Sequence, residues 1–124
     1  MEECISLCRA LIAAESLSGQ EDGAAQVLAR YFSCVPGAEM ERDRYGSILV
    51  TVRGSRPGPR LLFDAHLDTV PVANPAVWIH PPFAGKIEDG RLYGRGASDM
   101  KGALACMSRA VKAFASDTTL DFSG

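Results

Sequence analysis

Two clusters of side chains in this sequence could do chemistry together. His66 and Asp68 close an apolar run, Leu61-Leu62-Phe63-Asp64-Ala65-His66-Leu67-Asp68. Asp99 follows within Gly94-Arg95-Gly96-Ala97-Ser98-Asp99-Met100-Lys101-Gly102, at the mouth of an expected helix. A buried strand presents ligand-type side chains at its carboxyl end. Imidazole nitrogen and carboxylate oxygen are ligands that zinc accepts readily. Metal chemistry is therefore the first hypothesis. Extended backbone alternates its side chains, so His66 and Asp68 fall on one side and Asp68 can orient the imidazole ring. A carboxylate at a helix N-terminus stays ionised more easily, which suits Asp99 as a ligand. Gly94 and Gly96 allow backbone to pass close to the site.

Each feature also has a plainer reading when taken alone. His-x-Asp can be a surface pair or a satisfied core histidine, and Asp99 can be a simple helix cap. The glycines could form an ordinary turn. A phosphate loop is disfavoured, because its Lys-Ser/Thr ending is absent and the glycines follow a hairpin rather than a long parallel strand.

The elements that must position these groups can be read in order. Apolar residues at helical spacing, Ile5, Cys8, Leu11 and Ile12, predict a helix over 2–14. Ser18 and Glu21 form a Ser-x-x-Glu capping box that predicts a second helix to about residue 33, with Val27, Leu28, Tyr31 and Phe32 as its stripe. Strands follow at 38–43 and 48–52, turning at Tyr45-Gly46. Residues 53–59 break regular structure with proline and glycine. The apolar run over 60–65 predicts a buried strand, and 69–83 reads as an irregular, proline-rich loop holding Trp78, His80 and Phe83. Asp89-Gly90 between two short apolar stretches is a strong hairpin signal. Ser98 then caps a helix to about Phe114, with Met100, Ala103, Leu104, Met107, Ala110, Val111 and Phe114 inward. The order predicts a mixed α/β layered sheet.

Bulk properties narrow the function classes. The chain has 124 residues, 47% hydrophobic and 23% charged, which suits one globular domain. A net charge of −2 gives no reason to expect nucleic acid or an anionic membrane as partner. No segment reaches the ~18 consecutive apolar residues that span a bilayer. The acidic start, Met1-Glu2-Glu3-Cys4, lacks a secretory signal's basic region, so a cytoplasmic location is expected. Cys4 and Cys8 share an apolar helix face, where cysteine behaves as a small hydrophobe.

The ordered combination of motifs resembles the metallopeptidase family of acetylornithine deacetylase, succinyl-diaminopimelate desuccinylase and aminoacylase. The matching residues are His66-Leu67-Asp68-Thr69-Val70-Pro71, Trp78, Pro82-Phe83, Asp89-Gly90 and Leu92-Tyr93-Gly94-Arg95-Gly96-Ala97-Ser98-Asp99-Met100-Lys101-Gly102. They are dense over 61–107, and the opening helices match more loosely.

The resemblance implies a three-layer αβα mixed sheet of zinc-exopeptidase type. It implies that His66 binds one of two Zn2+ ions, with Co2+ or Mn2+ as substitutes, that Asp99 bridges both, and that Asp68 is the catalytic-site carboxylate orienting His66. It also makes the peptide bond after Asp99 a candidate for the cis form. Asp64 receives no role. Arg95 and Lys101 lie near the site and could pair with a substrate carboxylate, although a surface or helix-end role is the plainer expectation. The implied reaction is zinc-dependent hydrolysis of amide or peptide bonds in N-acyl amino acids or short peptides by metal-activated water. The family's Glu-Glu pair, a further acidic ligand, a distant His and the inserted dimerisation domain have no counterpart in 1–124. The chain is therefore expected to be the N-terminal part of a catalytic domain, inactive alone and homodimeric only when complete. The alternative is a non-catalytic metal-binding or interaction module.

Overall fold

A computed structural model of the chain describes residues 1–124. Helix α1, Glu2–Ala13, buries Leu7, Cys8, Leu11 and Ile12, the stripe that its periodicity requires. Glu2 and Glu3 in its first turn complement the positive end of the helix. Helix α2, Asp22–Phe32, buries Ala24, Ala25, Leu28 and Phe32 against it.

The expected capping box does not form. Glu21 is the residue before α2, and its carboxylate accepts the Gly19 N–H at 2.6 Å. The Ser18 hydroxyl turns away from the helix and donates to Asp68. A partner distant in sequence has outcompeted the local one.

Two hairpins form where the turn residues predict them. Strand β1, Ala38–Arg42, pairs antiparallel with β2, Ile48–Val52. The Asp43 carboxylate accepts the N–H groups of Tyr45 and Ser47 and closes their turn. Strand β3, Lys86–Glu88, pairs with β4, Arg91–Tyr93. Asp89 and Gly90 between them both take positive φ, 49° and 72°, as a tight two-residue turn requires. The chain is thus mixed α/β as expected, but its strands form two separate two-stranded sheets.

The buried strand expected over 60–65 is absent. Leu61, Leu62 and Phe63 are 80%, 85% and 57% exposed. Burial of an apolar run as a strand needs a ladder partner on at least one edge, and no strand of this chain runs beside it.

Residues 69–83 are irregular apart from a short 3-10 turn at Pro75–Val77, whose Ala76 N–H donates to the Asn74 side chain. A kinked turn, Ala97–Lys101, with non-helical backbone at Asp99 and Met100, leads into α3, Gly102–Ser116. Ser98 does not cap this helix; Gly96, at φ 79°, precedes the turn instead. The buried face of α3 is Leu104, Ala105 and Ser108, packed on α1. Ala103, Ala110 and Phe114 are exposed, contrary to the expected inward stripe. Ser108, Arg109 and Lys112 lie on the side of α3 that meets α1, where Arg109 and Lys112 pair with Glu3, so the apolar stripe does not mark the buried face. No helix is long and apolar enough to cross a membrane.

The chain core joins α1, α2 and the start of α3. Lys101 is the unexpected member, 1% exposed, where a helix-end lysine was expected at the surface or near the site. Its Nζ donates to the carbonyls of Leu11 and Ala14 at 2.7 and 2.8 Å. These belong to the last turn of α1, whose carbonyls have no intrahelical donor.

Candidate metal centre

The two predicted clusters meet. His66 Nε2 lies 2.9 Å from Asp99 Oδ1. On the other side of the ring, Nδ1 lies 3.0 Å from the Asp68 carbonyl and 3.1 Å from Asp68 Oδ1. The imidazole is therefore held between two carboxylates. They keep its pKa above the ordinary histidine value, the hydrogen bond to Asp99 contributing most and partial burial opposing it. Asp68 is held below the usual carboxylate value, first by the Ser18 hydroxyl; burial opposes this, and the nearby His66 lowers it further.

Asp99 is the most open member, its side chain 87% exposed against 46% for His66. The Asp99–Met100 peptide is cis. The turn carrying it is anchored by the Lys101 N–H to the Gly96 carbonyl at 2.8 Å. Gly94 and Gly96 are there because nothing larger fits. A Cβ at Gly94 would come within 2.6 Å of Ile12 Cγ2, and one at Gly96 within 2.6 Å of Thr69 Cγ2. The close backbone approach expected of these glycines is thus onto α1 and the His66 loop.

That loop is braced from the α1–α2 connection. Leu17 and Thr69 form a parallel β-bridge. The Thr69 N–H donates to the Ser16 carbonyl at 2.7 Å, and Ser16 Oγ donates to the Leu67 carbonyl at 2.8 Å. Ser16 and Thr69 are buried. Nothing in the local pattern of Ser16-Leu17-Ser18 announces this contact.

His66, Asp68 and Asp99 line one cavity of about 260 Å³ with Thr69, Val70 and residues 94–98. Arg95 also lines it, where a surface or helix-end role was the plainer expectation. Its guanidinium lies 4.9 Å from the centre of the Trp78 ring, and its buried Nε has no hydrogen-bond partner. His80 lies outside, paired with Glu88 at 3.2 Å and edge-on to Tyr93. No glutamate lines the cavity, and no group of three or more His, Cys, Asp or Glu side chains converges on one point. The converging donors, one imidazole and one carboxylate, suit zinc in type but make an open site by themselves.

Known proteins resemble this chain over most of its length. Residues 62–122 match the model of Peptidase family M20/M25/M40. The succinyl-diaminopimelate desuccinylase of Methylorubrum extorquens is 39% identical over 97% of this chain and 32% of its own length. That of Alkalilimnicola ehrlichii is 39% identical over 92% of this chain and 30% of its own length. The chain thus spans about a third of the length of these curated relatives. A crystal structure of an M20 family metallo-carboxypeptidase from Sulfolobus solfataricus superposes with a TM-score of 0.71 and 28% identity, covering 92% of this chain and 27% of that one. This likeness bears out the expected zinc-exopeptidase-like fold. Motifs, fold and relatives all agree: the chain belongs to peptidase family M20/M25/M40, a family of metal-dependent hydrolases.

Proposed function

We propose that residues 1–124 are the N-terminal part of a metallohydrolase catalytic domain, and that the whole protein hydrolyses amide or peptide bonds in N-acyl amino acids or short peptides. The observation that carries this reading is the convergence of His66 Nε2 and Asp99 Oδ1 at 2.9 Å, with His66 Nδ1 held by Asp68. His66 and Asp99 would hold the metal, and the two oxygens of Asp99 allow it to touch two ions. Zinc is the first choice, with Co2+ or Mn2+ as substitutes. When bound, such an ion lowers the pKa of water and polarises a carbonyl.

The chain's own residues have separable tasks. The Asp68 main-chain carbonyl would accept the Nδ1 proton of His66, with the Asp68 carboxylate beside it, fixing the tautomer and leaving Nε2 facing the site. Arg95 has no acidic partner and would take the free carboxylate of the substrate. In the reaction, the water oxygen bonds to the carbonyl carbon and the carbon–nitrogen bond breaks. A proton passes to the leaving nitrogen, giving a carboxylate and an amine. A base must stand within hydrogen-bond reach of the attacking water. With no glutamate in the cavity, we assign the base, the remaining ligands and a dimer-forming domain to the part of the family's length that 1–124 does not match.

The test joins 1–124 to the remaining two thirds of a desuccinylase relative and compares it with 1–124 alone, on zinc-supplemented N-acyl amino acids. The joined protein should turn over and lose that activity with His66→Ala or Asp99→Ala. Residues 1–124 alone should bind zinc weakly and hydrolyse nothing. Robust turnover by 1–124, abolished by His66→Ala, would overturn the view that the site is incomplete. A zinc response indifferent to His66→Ala would overturn the site itself.

A further inference from the structure

One polar contact at the cavity comes from outside its lining. Ser18 Oγ donates to Asp68 Oδ2 at 2.6 Å. The other oxygen of the same carboxylate, Oδ1, lies 3.1 Å from His66 Nδ1, which also hydrogen-bonds the Asp68 main-chain carbonyl at 3.0 Å. Each oxygen therefore has its own partner. A carboxylate with a single hydrogen bond can still swing about its side-chain torsions. One gripped at both oxygens has its plane set, and it shares the hold on the ring with the main-chain carbonyl of the same residue.

The Ser18 hydroxyl has no competing task. Helix α2 starts at Asp22, and the side chain near its start that takes a backbone N–H belongs to Glu21. The main chain delivers the hydroxyl to Asp68. Ser16 and Leu17 run parallel to Leu67 and Thr69, with the Thr69 N–H on the Ser16 carbonyl and Ser16 Oγ on the Leu67 carbonyl. That register sets Ser16 across from Asp68, and Ser18, two residues on and on the same side, reaches the Asp68 carboxylate diagonally.

We propose that Ser18 is a positioning residue of the metal site: it fixes the plane of the Asp68 carboxylate and, through it, the His66 ring, so that the α1–α2 connection is a working part of the site. The proposal rests on the reading of His66 and Asp99 as metal ligands, and it extends that reading to a segment some fifty residues earlier in the chain.

Two measurements on the 124-residue chain test it. The first needs no metal. Three-bond couplings in isotope-labelled protein report the side-chain rotamers of Asp68 and His66. A single Asp68 rotamer is expected in the wild type and in Ser18→Thr, which keeps the hydroxyl, and averaged couplings in Ser18→Ala. The second is a Zn2+ titration followed on the backbone amide resonances of residues 94–102. Ser18→Ala should weaken binding about 3- to 10-fold, less than the ~10–100-fold typical of a ligand's direct partner. In an Asp68→Ala background the same change should have no further effect.

Unchanged Asp68 couplings in Ser18→Ala would overturn the proposal. So would an equal loss of affinity with and without Asp68, since a merely structural serine would act in both backgrounds. If His66→Ala leaves the zinc response intact, the ligand reading falls, while the rotamers still decide whether Ser18 orients Asp68.

Discussion

Replacing Lys101 with methionine tests how the site is tied to the first helix. The lysine is 1% exposed and its Nζ donates to the Leu11 and Ala14 carbonyls. Methionine fills similar space without a donor. A buried acceptor left without its partner costs about 1–3 kcal/mol, so two such carbonyls put the gross loss at roughly 2–6 kcal/mol. Part returns, because the folded chain no longer buries an ammonium. That penalty is visible in the Lys101 pKa, which burial pushes below the ordinary lysine value. The net expectation is a loss of about 2–4 kcal/mol, or roughly 10–20 °C in melting temperature for a chain of this size. Urea and thermal unfolding followed by circular dichroism at neutral pH measure both quantities. A Lys101→Met protein within about 0.5 kcal/mol of the wild type would refute the reasoning. It would mean that charge burial cancels the capping and that Lys101 does not fasten α1 to the Asp99 turn.

Three further substitutions have expected outcomes. Tyr31 keeps a buried hydroxyl with no hydrogen-bond partner, so Tyr31→Phe should be neutral or stabilising by up to about 1 kcal/mol in urea unfolding. Burial, then the Glu3 charge, raises the Tyr31 pKa from 10 to about 12. The folded chain thus keeps a proton that the unfolded chain loses, so stability falls as pH climbs through that window. Tyr31→Phe should remove this part of the alkaline loss; an unchanged pH profile would exclude Tyr31 as its source. Gly96→Ala puts a Cβ 2.6 Å from Thr69 Cγ2 at a φ of 79°, and strain plus overpacking should cost roughly 2–4 kcal/mol by the same unfolding assay. Trp78 is the one tryptophan and lies against the Arg95 guanidinium. Its fluorescence should therefore respond to an N-acyl amino acid, and Arg95→Gln should weaken that response about 10-fold or more; an equal response in both proteins would remove Arg95 from substrate binding.

What could be read from the sequence was what is local or periodic. Asp89-Gly90 needs nothing beyond its own backbone preferences to make a hairpin, and both residues adopt the required conformation. Leu7, Cys8, Leu11 and Ile12 mark the buried face of α1 by spacing alone. Period-two alternation put His66 and Asp68 on one side, and the resemblance brought Asp99 to them; the structure gives the 2.9 Å meeting. The misreadings share one physical cause. Ser18 fits a capping box locally, but Asp68, fifty residues on, makes the better acceptor. Lys101 reads as a helix-end surface residue unless the open carbonyls of α1 are known to lie above it. The run over 60–65 has the composition of a buried strand, yet a sheet is a property of neighbours, which one segment does not specify.

The bare segment Leu61-Leu62-Phe63 has a colloidal consequence. Three large apolar side chains on backbone outside any ladder form a short adhesive edge, the kind of surface on which identical chains template one another. The residues around it act as gatekeepers. Pro57 and Pro59 remove N–H donors on one flank, while Arg60 and Asp64 bracket the run with opposite charges. Asp64, without a task in the cavity, thereby acquires one in solubility. Removing its charge should lower the concentration at which the protein stays dispersed and leave the geometry of His66, Asp68 and Asp99 intact.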